Sequence, residues 1–144
     1  MRFDIENQLD VAHAYTATAV SSHSYAKQTA EQDLSIGRRM ALLVCPKVAA
    51  GAGSTHTMAA IQADDAALTT NVEVLGQIVV AAAALVPGAE FEIPIPQGSM
   101  TRKYIGFRNT IASGTTTVTL DVYLVPQDEI AKYKAFNKVV NAVV

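Results

Sequence analysis

Apolar and polar residues alternate with period two along much of this chain, most clearly between Thr101 and Val125. Ile105, Phe107 and Ile111 fall on one face of a first segment, and Val118, Leu120, Val122 and Leu124 on one face of a second. With the polar Ser113-Gly114-Thr115 between them, the two segments read as a half-buried antiparallel hairpin. Upstream, Ala14–Ser22 alternates and predicts a strand. Met40–Cys45 is a continuous apolar run stopped by Pro46, short enough to be a strand buried on both faces. Thr55–Ala63 predicts another strand, ended by Asp64-Asp65.

Residues 71–85 fit a strand, a helix, or a strand that runs into a loop. Val72 and Val74 favour the strand, and Ala81 to Ala84 the helix. Pro87-Gly88 turns the chain. Glu90–Pro96 is extended, because a residue preceding proline is pushed out of the helical region, and its prolines imply an edge position. In the tail, Ile130, Tyr133, Phe136, Val140 and Val144 recur near helical spacing with Lys132, Lys134 and Lys138 between them. The predicted class is all-β, a β-sandwich or jelly roll over residues 1–127. Residues 128–144 form a short C-terminal helix or arm for attachment or oligomerisation, the plainer alternative being that they fold back on their own sheet.

Composition sharpens this picture. At 144 residues the chain is large enough for one core without staples. Half of it is hydrophobic and only 17% charged, so some apolar surface is expected to meet a partner. The net charge of −2 argues against direct nucleic-acid binding. The longest apolar run, Ile78–Val86, is too short for a membrane helix. The single cysteine, Cys45, excludes an internal disulfide and suits a reducing cytoplasm.

Candidate chemistry is sparse. His13, His23 and His56 are dispersed and lack the close second ligand a zinc site needs, so they read as surface or satisfied histidines. Adjacent Asp64 and Asp65 point to opposite faces of a strand and read as a turn rather than a cation site. Gly51-Ala-Gly53 lacks the helix and the Lys-Thr of a phosphate loop. No catalytic, cofactor-binding or metal-binding residues are therefore assigned, and no enzyme activity is expected. The basic pairs Arg38-Arg39 and Arg102-Lys103 are solvated strand ends or, with Arg108, a contact patch. Arg102, Tyr104 and Arg108, with Tyr133, Phe136 and Val140 of the tail, are the candidate partner-contact residues.

Ile93-Pro-Ile-Pro-Gln-Gly98, followed by Arg102-Lys-Tyr-Ile-Gly-Phe-Arg108 and Ser113-Gly114, resembles the capsid cement (decoration) proteins of short-tailed bacteriophages. The likeness extends to Thr16–Ala19 and Ala41–Val44, and so covers residues 4 to about 128; the tail departs from it. The resemblance implies a jelly-roll-like protein made in the host cytoplasm and placed on the outside of the virion head. There it bridges neighbouring major capsid protein subunits, without a cofactor, as a homo-oligomer with a dimer slightly ahead of a trimer. Two other readings compete: another virion part such as a neck or tail adaptor, and a carbohydrate-binding or metal-dependent jelly roll.

Overall fold

A computed structural model describes residues 8–27, 39–50, 55–112 and 117–130. Nine strands follow in chain order: β1 (Gln8–Tyr15), β2 (Ala19–Val20), β3 (Tyr25–Ala26), β4 (Met40–Val48), β5 (Thr55–Ala63), β6 (Glu73–Ala81), β7 (Phe91–Ile95), β8 (Tyr104–Ile111) and β9 (Val118–Pro126). Sheet A has the order β1-β9-β4-β7; sheet B has β2-β8-β5-β6, with β3 also pairing with β8. All pairings are antiparallel.

Counted from the ends of the chain inward, these pairs are nested: β1 with β9, β2 and β3 with β8, β4 with β7, and β5 with β6. A long ribbon of hairpins rolled up on itself produces that order, which makes the β-sandwich a jelly roll. The residues facing between the sheets are the ones the period-two pattern selects. Leu42 and Val44 of β4, Met58 of β5, Ile105 and Phe107 of β8, and Leu120, Val122 and Leu124 of β9 share one buried core.

The structure corrects several expectations. β8 and β9 are strands with the predicted inward faces, but they are not a hairpin: β8 lies in sheet B and β9 in sheet A. Alternation reports that one face of each is buried, and a facing strand satisfies it as well as a neighbouring one. The turn expected at Ser113–Thr115 lies outside the described residues. The strand expected over Ala14–Ser22 breaks at Thr16–Thr18, leaving β1 in sheet A and β2 in sheet B.

Pro46 does not end β4, which continues to Val48. Pairing with β7 covers only Met40–Val44, so beyond it β4 is an edge on that side and a residue without an N–H is tolerated. The ambiguous stretch 71–85 resolves as β6 followed by a 3-10 turn at Ala82–Ala84. The other expectations hold: β5 spans Thr55–Ala63, and Pro94 lies in edge strand β7.

The rims of the sandwich are closed by contacts of different kinds. On one rim the carbonyl oxygen of Pro94 in β7 lies where a β-carbon of Gly76 in β6 would be, so only glycine lets the two edges approach. On the other, the segment between β2 and β3 bonds back to β1, with the His23 N–H donating to the Leu9 carbonyl at 3.1 Å. Among the described residues, no helix is long and apolar enough to cross a membrane.

Candidate interaction surface

Arg102 occupies the connection between β7 and β8, and its guanidinium is engaged within the chain. Nη1 donates to both carboxylate oxygens of Asp64, at 3.0 and 3.1 Å, and Nη2 to Glu73 Oε1 at 2.5 Å. Gln62, buried at the end of β5, accepts the backbone N–H of Thr101 and of Arg102 on Oε1, at 2.9 and 3.0 Å. Its Nε2 donates to Glu73 Oε2 at 2.9 Å. The hydrogen bond from Asn71, and after it those from Arg102, hold the Asp64 carboxyl below the usual carboxylate range. Arg102, and after it Gln62, do the same for Glu73. Arg102 therefore clamps the ends of β5, β6 and β8 together.

Asp64 and Asp65 do form the expected turn, and they face different partners. Asp65 accepts the N–H of Thr69 and of Thr70, each at 2.8 Å, and the Thr69 hydroxyl at 2.5 Å. The turn this organises carries Leu68 at φ +59, an unusual conformation for a leucine. It lays Leu68 on the outer face of sheet B, over Ala59, Ile61 and Ala63. Tyr104 is half-buried at the border of this cluster, and Lys103 Nζ stands 5.7 Å from its ring centroid.

Arg108 lies further along the same face, opposite Val20 of β2 and Ala59 of β5. It is half-buried, and its Nε is buried with no hydrogen-bond partner. Across β5, on edge strand β6, Val79 is 65% and Val74 45% exposed, and no charged residue occurs from Val74 to Ala89. Apart from Glu73 at its start, edge strand β6 carries no charge, and its exposed valines lack the lysines and prolines that usually blunt an edge. Tyr133, Phe136 and Val140 lie outside the described residues.

Two polar clusters escaped the sequence reading. Asp10, fully buried in β1, accepts the Tyr15 hydroxyl, His13 Nδ1 at 2.8 Å, and both the N–H and hydroxyl of Ser22 at 2.8 and 2.9 Å. Burial, and then the Asp10 charge, push the Tyr15 phenol above its ordinary range. Asp121 of β9 accepts the N–H of Ala12 at 2.6 Å and pairs with Lys47 at 3.3 Å. Ala12, at φ +49, stands where the β1 register slips against β9, so Asp121 holds a β-bulge. Each acid was visible as a lone carboxylate between apolar neighbours, Leu9-Asp10-Val11 and Leu120-Asp121-Val122.

His56 departs from the expected surface or satisfied histidine. It is fully buried, its Nδ1 lies 3.0 Å from Asn109 Nδ2, and its Nε2 has no partner. Among the described residues no three His, Cys, Asp or Glu side chains converge as metal ligands. A shallow cleft of about 260 Å³ opens beside β7, lined by Arg39, Pro94, Ile95, Pro96, Gln97 and Gln127.

No curated protein matches the chain. The family model Bbp16 matches residues 9–123, from β1 into β9, and so takes in both sheets and the Arg102 clamp. The chain belongs to the Bbp16 family.

Proposed function

We propose that this protein is a capsid cement protein of a bacteriophage, binding the outside of the head and bridging neighbouring major capsid subunits. Its work is contact rather than catalysis, with no cofactor, no direct nucleic-acid binding and no membrane. It acts as a homo-oligomer, a dimer ahead of a trimer.

The observation that carries this reading is Arg108. Its half-buried side chain lies on the outer face of sheet B, the face that also carries half-buried Tyr104 on the same strand and exposed Val79 on β6. Arginine and tyrosine beside apolar area are the side chains that anchor protein interfaces. Arg102, by contrast, acts for the fold, which leaves Tyr104 and Arg108 as the contact pair.

Heads lacking this chain, mixed with the purified protein, test the proposal. The wild type binds at a fixed ratio to capsid subunits and raises the temperature at which heads open. Arg108→Ala and Val79→Asp weaken binding by about tenfold or more while leaving the fold intact. Wild-type protein that never associates with heads, or that localises to the neck or tail, refutes the proposal.

A further inference from the structure

β6 is the last strand of sheet B, paired with β5 on one side and with no described strand on the other. β7 of sheet A comes against it at Gly76, where the Pro94 carbonyl takes the place of a β-carbon. Beyond that contact the edge runs clear from Gln77 to Ala81, where the strand gives way to the 3-10 turn at Ala82–Ala84. Such an edge presents a row of N–H and C=O groups that a further strand can pair.

The side chains of this stretch sort by face. Ile78 and Val80 pack toward the core between the sheets, Val80 buried and Ile78 half-buried. Gln77, Val79 and Ala81 alternate with them and are exposed. Neither face carries a charge, and none occurs from Val74 to Ala89. This neutrality selects the occupant: a charged edge brought against a copy of itself sets like charges opposite each other, and this edge does not. The middle residue of the clear stretch, Val79, is also the most exposed large hydrophobic among the described residues, at 65%.

We propose that β6 pairs antiparallel with β6 of a second copy, about a two-fold axis at Val79. Val79 then lies opposite itself, Gln77 opposite Ala81, and Ile78 opposite Val80, so each pair joins residues of the same face. Gly76 of one copy falls opposite Ala82 of the other. The contact with β7 and the end of the strand therefore limit the ladder at the same point. Five residues a side is small beside the roughly 20–30 of a standard interface, so the dimer is weak and forms as concentration rises. The inference rests on the homo-oligomer of the proposed function and is independent of the capsid.

Oxidative cross-linking of the purified full-length chain tests this register. Val79→Cys gives a disulfide dimer on mild oxidation, in a yield that rises with protein concentration. The wild type, whose single Cys45 is buried, gives none. Val74→Cys, also exposed on β6, cross-links about tenfold more slowly or less, because ten residue steps hold the two Val74 positions about 33 Å apart. Added to Val79→Cys, the pair Gln77→Lys/Ala81→Lys sets lysines against each other and slows cross-linking about tenfold, whereas Gln77→Glu/Ala81→Lys sets opposite charges together and keeps it. Equal rates for Val79→Cys and Val74→Cys, or indifference to these charges, overturn the proposal. Sedimentation of the wild type then tells the two failures apart. An oligomer without the Val79→Cys cross-link excludes this edge and leaves the homo-oligomer standing, and a monomer at every concentration removes both.

Discussion

Leu68 covers Gly106 so closely that its Cδ1 stands where a β-carbon of residue 106 would be. The turn held by Asp65 and the bare backbone of β8 are thus two halves of one contact, which keeps Ile61 and Ala63 dry on the outer face of sheet B. Gly106→Ala forces the whole Leu68 side chain aside. The expected cost is about 1–3 kcal/mol, measured by urea unfolding, as for other overpacked sites. A double variant Gly106→Ala/Leu68→Ala relieves the clash and shows non-additive costs.

Gly76→Ala is expected to cost more than Gly106→Ala. The obstacle there is the backbone carbonyl of Pro94, which cannot rotate away as a leucine side chain can. The two strand edges must separate, and the β6–β7 rim opens. Amide hydrogen exchange of β6 should quicken in this variant, while exchange in β1 stays as in the wild type.

Acid should weaken the Arg102 clamp. Asp64 and Glu73 titrate below their ordinary values in the folded protein, so the unfolded chain binds protons more readily. Their stabilisation is complete above the ordinary carboxylate range and is lost as pH falls through the depressed folded values. Arg102→Ala should therefore lower stability at neutral pH, and its deficit relative to the wild type should shrink toward pH 3. High salt should narrow the same gap, because the pair is partly exposed. A deficit independent of pH would assign Arg102 a packing role only.

His56 gives a separate pH dependence. Burial lowers its folded pKa, so it stays neutral in the fold while the unfolded chain protonates near 6.5. Stability from this group falls as pH drops below that value. Replacing His56 alone by Leu leaves Asn109 Nδ2 buried without its acceptor, at a cost of about 1–3 kcal/mol. The pair His56→Leu/Asn109→Leu should recover part of that loss and remove the dependence between pH 5 and 7, as read from unfolding midpoints.

Tyr15→Phe removes the hydroxyl that Asp10 accepts and leaves a buried carboxylate with fewer donors. About 1.5–3 kcal/mol of destabilisation is expected, as for hydrogen bonds to charged groups. The edge-on packing of the ring against Phe107, 5.7 Å between centroids, is kept in the variant. Thermal unfolding against Phe107→Ala, which loses about 3–5 kcal/mol of packing, separates the two contributions.

Much of the architecture was legible because burial has a period in a strand. The inward faces of β8 and β9, the doubly buried β4, the span of β5 and the edge position of Pro94 follow from spacing and proline chemistry alone. The lone acids Asp10 and Asp121 were visible as residues but not as partners, because Tyr15, Ser22, Lys47 and Ala12 reach them only through the bulge and crossings of β1. Arg102 was legible as a cation but not as a clamp, since Asp64 and Glu73 come to it from distant positions in the chain.

The amino-acid sequence by itself determined the inward faces of β4, β8 and β9, the span of β5, and that the strands are rich in β-branched side chains. Only the tertiary structure decided which strands are neighbours. Alternation is a local property of each strand, whereas the placement of β8 in sheet B and β9 in sheet A is set by the nested pairing of the whole chain. The same pairing decided which cations meet carboxylates of the chain, as Arg102 meets Asp64 and Glu73. A side chain's availability depends on what the other end of the chain brings to it, and that is settled by packing rather than by spacing.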